Sequence, residues 1–176
     1  MSSAFPADSL WDFSLSLYAN RELADACLHL QDQQGVNVNL ILWCAWLEYL
    51  GVYLEDAHLQ EAHHHIDAWD QHYVIPLRQL RRRMKAEFGT ADANIEAVRA
   101  SIQQAELAAE KELQRRLQQI SYGWLEQNGA VELAGEAMGN RYREGKNLRR
   151  YLHQAGVEGG AIDSLLQCLN GVLRNI

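Results

Sequence analysis

The sequence concentrates histidine and acid over one short stretch, His58, Glu61, His63, His64, His65, Asp67, Asp70 and His72. On a helix, His58, Glu61, His65 and His72 fall on one face. Glu55 with His58 and Glu61 with His64 repeat the Glu-x-x-His spacing by which helical bundles aim a carboxylate and an imidazole at one metal ion. Such centres take a pair from each of two helices and further glutamates from others, whereas both pairs here share one segment. A metal-dependent bundle enzyme using His58, Glu61 and His65 is therefore the alternative reading. A solvated polar face opposite Leu54, Ala62, Ile66 and Trp69 is the simpler one.

A second cluster is basic. Arg78, Arg81, Arg82, Arg83 and Lys85 follow Pro76, and Arg141, Arg143, Lys146, Arg149 and Arg150 form a matching group. Pro76 to Phe88 and Arg141 to His153 each hold five positive charges against one negative in a chain whose net charge is -7. Guanidinium groups grip carboxylate or phosphate through paired N–H donors. If the clusters meet, Arg78, Arg81 and Arg82 with Arg149 and Arg150 make a surface for an acidic protein segment or a phosphorylated small ligand. The competing use of these charges is pairing with Glu106, Glu110, Glu112, Glu132 and Glu136 on neighbouring helices. The overall acidity argues against general nucleic-acid binding.

A third set, Gln31, Asp32, Asn37 and Asn39 with Tyr18 and Trp11, places polar groups among apolar ones. A buried Asn39 must be hydrogen-bonded, and linking helices is its expected role. No phosphate-cradling glycine loop, nucleophile elbow, His-Glu-x-x-His pair or calcium loop occurs. Nothing nominates a catalytic nucleophile, and no cofactor is expected. Cys27, Cys44 and Cys168 are odd in number and widely spaced, which points to reduced thiols and a cytoplasmic setting.

The elements that must position these residues read as helices. Hydrophobic residues make up 48% and charged residues 22%, enough apolar matter for one helical domain over residues 1–176. Ser9 with Asp12 starts a helix from Leu10 to Ala19, and Asn20 starts another from Arg21 to Gln34 that Gly35 stops. Asn37 opens a third, apolar nearly all round, ending at Gly51. A fourth runs from Leu54 to Tyr73, and Pro76 predicts a kink or fresh start. The fifth, Pro76 to Phe88, is expected to turn Leu77, Leu80 and Met84 inward and Arg78, Arg82 and Lys85 outward.

The longest helix carries Ile95, Val98, Ile102, Ala105, Ala109, Leu113, Leu117, Ile120 and Trp124 at helical spacing and is expected to end at Gly129. Shorter helices follow over Val131 to Met138, Arg143 to Gln154 and Ala161 to Arg174. The fold expected is all-α, a compact multi-helix bundle with one long central or flanking helix. That helix pairing with its own copy would make a homodimer. The apolar stretch Leu40 to Leu47 is too short to span a bilayer, and Met1 to Asp8 lacks the features of a signal peptide.

Several blocks resemble a family of bacterial proteins known only as a domain of unknown function. They are Trp11 to Tyr18, Ala26 to Asp32, Gly35 to Leu40, Val74 to Arg82 with its Pro-Leu-Arg-x-x-Arg-Arg core, and Asn147-Leu148 with Tyr151-Leu152. The resemblance implies a small helical cytoplasmic protein and no particular activity. The arginine block belongs to the pattern and the triple histidine does not, which favours the basic surface. The expectation is a non-enzymatic interaction or adaptor protein that binds an acidic partner or anionic ligand.

Overall fold

The computed structural model describes residues 9–127 and 145–174, and the side chains of 9–124 and 145–174. It is helical throughout, with no strand among the described residues. Helix α1 (Leu10–Tyr18) begins where the Ser9 hydroxyl accepts the Asp12 N–H, and α2 (Arg21–Gln34) where Asn20 accepts the Leu23 N–H. Each cap satisfies a backbone donor that the first turn leaves open. Gly35 ends α2 at φ 66°, a left-handed conformation that glycine adopts without strain.

Helix α3 (Val38–Tyr49) explains the rest of the architecture. Every residue from Val38 to Glu48 is buried. A helix apolar on all sides needs neighbours on all sides, and α1, α2, α6 (Ala93–Gln127) and α7 (Lys146–Gln154) supply them. Trp43 and Trp46 are the largest wholly buried side chains. The Trp43 indole N–H donates to Ser121 Oγ at 2.8 Å, so its polar edge is satisfied inside the core. Truncating Trp43 to alanine costs about 3–5 kcal/mol by lost transfer and cavity terms.

Helix α4 (Asp56–Trp69) lays Leu59, Ala62 and Ile66 on α6. It passes without a break through one π turn, Asp70–Val74, into α5 (Ile75–Phe88). The proline therefore produces a widened turn. Pro76 lacks an N–H, and its ring crowds the carbonyl four residues back, so the ladder is reset just before it.

Helix α6 (Ala93–Gln127) extends about 52 Å at 1.5 Å per residue. It buries Ala109, Leu113 and Leu117. Nearer its start the predicted apolar stripe is only partly covered: Ile95 and Ile102 are half-buried, Val98 is 53% exposed and Ala105 faces solvent. Helices α7 (Lys146–Gln154) and α8 (Gly159–Leu173) close the far side of α3, with Ile162, Leu165, Leu166 and Leu169 turned inward. The predicted helix over Val131 to Met138, together with Arg141 and Arg143, lies outside the described residues. No described helix is long and apolar enough to cross a membrane.

Candidate functional site

Four helices around the amino-terminal half of α3 leave a groove. Its cavity of about 190 Å³ is walled by Trp11, Ser14 and Tyr18 of α1, Gln31 of α2, Arg78, Arg81 and Arg82 of α5, and Glu106, Glu110 and Gln114 of α6. Asn39 and Leu42 of α3 form the floor. Helical spacing does the gathering. Trp11, Ser14 and Tyr18 recur every three or four residues, Arg81 and Arg82 lie three and four residues after Arg78, and Glu106, Glu110 and Gln114 fall at strict four-residue intervals on one stripe of α6.

The charged groups are already partnered. Arg81 grips Glu106 with both arms, Nε to Oε2 at 2.5 Å and Nη2 to Oε1 at 3.1 Å. Arg78 bridges two acids, Nε to Glu106 Oε1 at 3.2 Å and Nη2 to Glu110 Oε1 at 2.6 Å. Glu106 is only 5% exposed, so its charge depends on these guanidinium groups. Arg82 reaches across to Asp32 of α2 at 2.6 Å on the surface. The predicted outward pointing of Arg78 is therefore corrected. Arg78 turns onto α6 because two carboxylates wait there, and only Arg82 and its neighbours stay toward water.

Burial shapes the acid–base character of the groove. Desolvation raises the Glu110 carboxyl above its ordinary pKa, and the Arg78 charge and hydrogen bond pull the other way. Burial, with smaller contributions from Cys27 and Glu110, pushes the Tyr18 phenol far up, so it stays protonated. Beneath them the Ser14 hydroxyl lies 3.0 Å from Gln114 Oε1, and Gln114 Nε2 donates to Asn39 Oδ1 at 2.9 Å. Asn39 thus links α3 to α6, as its burial requires. Its Nδ2 has no acceptor among the described residues, nor does the Tyr18 hydroxyl have a partner there. The mouth is apolar. Leu15, Leu28 and Leu107 stand 52%, 41% and 46% exposed around it.

The second basic cluster does not join this groove. Arg149 pairs with Asp163 at 2.8 Å and Arg150 with Asp56 at 3.3 Å, on α7, which packs against α3 and α8 rather than α5. The histidine-rich face is not assembled as a ligand set either. His58 Nδ1 accepts the Glu55 N–H at 3.1 Å in a capping box, and its ring lies 4.8 Å from that of Trp124. Glu61 accepts the Trp124 indole N–H at 3.1 Å, and His65 is exposed. Among the described residues no three His, Cys, Asp or Glu side chains stand where they could share a metal ion.

A family described as a protein of unknown function, DUF2390, matches residues 9–117. The chain belongs to this family. No curated protein and no solved structure matches it. The DUF2390 match runs from the cap of α1 to Leu117 in α6 and so contains every residue lining the groove, from Trp11 to Gln114. It stops short of α7 and α8, where Arg149 and Arg150 lie. In this DUF2390 chain, sequence reasoning did not place Ser14, Gln114 or the three rim leucines in a site. The available signal is that Gln114 continues, at the same four-residue spacing, the series Glu106 and Glu110 already offered as partners of the arginines.

Proposed function

We propose that this protein is a non-enzymatic interaction module that holds an acidic protein segment or a small anionic ligand in the groove between α1, α2, α5 and α6. The observation carrying this reading is the pairing of an apolar, half-exposed rim with a floor and wall rich in hydrogen-bond donors. Binding sites of this kind are mostly apolar with a few converging polar groups that fix orientation. Arg78 and Arg81 are held in place by Glu106 before any partner arrives, so their donors are pre-organised. Arg82, on the lip, supplies exposed positive charge.

The Ser14 hydroxyl in the groove is held between the Leu10 carbonyl and Gln114, and the guanidinium groups nearby supply donors for a bound group. Arg149 and Arg150 sit apart and are not included. The test is site-specific photo-crosslinking in cells. A crosslinker replacing Leu107 captures a discrete partner, one replacing His64 on α4 does not, and Arg82→Glu weakens the capture at 107. Equal capture from both positions, or capture indifferent to Arg82→Glu, sinks the proposal.

A further inference from the structure

We infer that the group taken by the groove is the carboxyl-terminal residue of a partner chain, an aliphatic side chain carrying a free α-carboxylate. The inference rests on the reading of the groove as a docking site and names the chemistry of what docks.

Hydrogen-bond accounting at the floor comes first. The Asn39 amide is 5% exposed, and its Oδ1 is occupied by Gln114 while its Nδ2 has no acceptor among the described residues. A buried donor without a partner costs free energy, so the floor asks for an acceptor. Arg78 uses Nε and Nη2 on Glu106 and Glu110, which leaves Nη1 for an incoming group. The protonated Tyr18 hydroxyl adds a third donor on the same wall. Asn39 Nδ2, Arg78 Nη1 and the Tyr18 hydroxyl are donors with no hydrogen-bond acceptor among the described residues, and a carboxylate supplies two acceptor oxygens.

Charge decides between carboxylate and phosphate. Arg78, Arg81 and Arg82 are matched by Glu106, Glu110 and Asp32, so the groove has donors to spare and little net charge. A phosphate monoester would bring close to two negative charges beside Glu106 and Glu110. A carboxylate brings one.

The rim decides between a chain end and an internal acidic residue. An internal aspartate or glutamate brings a peptide group on each side over Leu15, Leu28 and Leu107, whose side chains offer them no hydrogen bond. A chain end enters from one side only. Its carboxylate reaches the floor, and its aliphatic side chain meets the leucines at the mouth.

The experiment presents the whole protein with a peptide library randomised at its last three residues, once with free carboxyl ends and once amidated. Free-acid peptides ending in Leu, Ile or Val are expected to be enriched, with affinity falling about tenfold or more on amidation. Tyr18→Phe weakens the acid and leaves the amide unchanged, and Leu107→Glu abolishes both. Amidated peptides binding as well as free acids would overturn the carboxylate assignment, while sensitivity to Leu107→Glu would leave the docking groove standing. Octanoate binding as tightly as the best peptide would overturn the chain-end assignment in favour of a free amphiphilic acid. No enrichment from either library overturns the inference, and the crosslinker at position 107 then decides the docking reading independently.

Discussion

Arg78 and Glu110 meet at 2.6 Å across the α5–α6 contact, and the same guanidinium also reaches Glu106. Three charges therefore share one partly buried place where two helices close on each other. The arrangement holds the hairpin shut and at the same time builds one wall of the groove. Structure and binding cannot be separated at this residue, whereas they can be at Arg82.

Substitution at the two arginines should split accordingly. Arg78→Ala leaves the partly buried Glu110 without its partner beside a Glu106 still held by Arg81, and is expected to cost about 3 kcal/mol, with Arg78→Glu worse. Arg82→Glu breaks only an exposed pair with Asp32 and should cost less than about 1 kcal/mol. Urea unfolding curves measure both. Equal destabilisation by the two would contradict the geometry.

Asn147 ties the start of α7 to the turn after α3. Its Oδ1 accepts the Leu54 N–H at 2.8 Å and its Nδ2 donates to the Val52 carbonyl at 2.7 Å, while the Glu48 carboxylate accepts the N–H groups of Lys146 and Asn147 at 2.8 and 2.9 Å. Asn147→Ala should destabilise by about 2–3 kcal/mol, because buried backbone groups lose their partners. A change below about 0.5 kcal/mol in chemical denaturation would show that water replaces the side chain freely.

Much of this was legible in the sequence. Ser9, Asn20, Gly35 and Asn37 fix helix ends by local chemistry, and each acts at the predicted place. The inner face Leu23, Cys27 and Leu30 follows from spacing alone. The stripe of α6 was over-read because periodicity gives a direction and says nothing of whether a neighbour is there to cover it. For the basic run the sequence offers two uses, an open surface or pairing with acids such as Glu106 and Glu110. The structure pairs Arg78 and Arg81 with those two acids, a tertiary fact that spacing does not decide. Arg78 lies 28 residues from Glu106. Gln31, Asn39, Tyr18 and Trp11 stand out in the sequence as one set of polar and amphipathic residues with a structural role expected, and the packing of four helices brings them into one groove with the arginines.

Stability should fall on the alkaline side. Burial pushes the Cys27 thiol up to about 12, with Cys168 adding to it, and burial with Glu48 pushes Cys44 well above its ordinary value. Tyr18 and Tyr151 shift the same way, chiefly through burial. The folded protein keeps these protons while the unfolded chain sheds them from about pH 8.5 upward. Stability is thus fully present below that pH and is lost as pH rises, by about 1.4 kcal/mol per pH unit for each retained proton. Denaturant midpoints from pH 7 to 10.5 should trace a steepening decline, and Cys27→Ala should make it shallower. A flat profile contradicts the burial of these groups.

The histidine-rich face is expected to hold no stoichiometric metal. His58 and Glu61 are turned to Trp124, and no three-ligand group exists among the described residues. Native mass spectrometry of untagged protein, purified without chelator, should show the bare mass. One bound equivalent that disappears in Glu61→Ala would restore the metal-dependent alternative.

The central claim is that partners bind in the groove between α1, α2, α5 and α6. Hydrogen–deuterium exchange on the protein with and without its captured partner tests it most directly. The account predicts added protection in α1, in the second half of α2, in α5 and in α6 from Gln103 to Gln114, with α7 and α8 unchanged. Protection confined to α7 and α8, around Arg149 and Arg150, would contradict it.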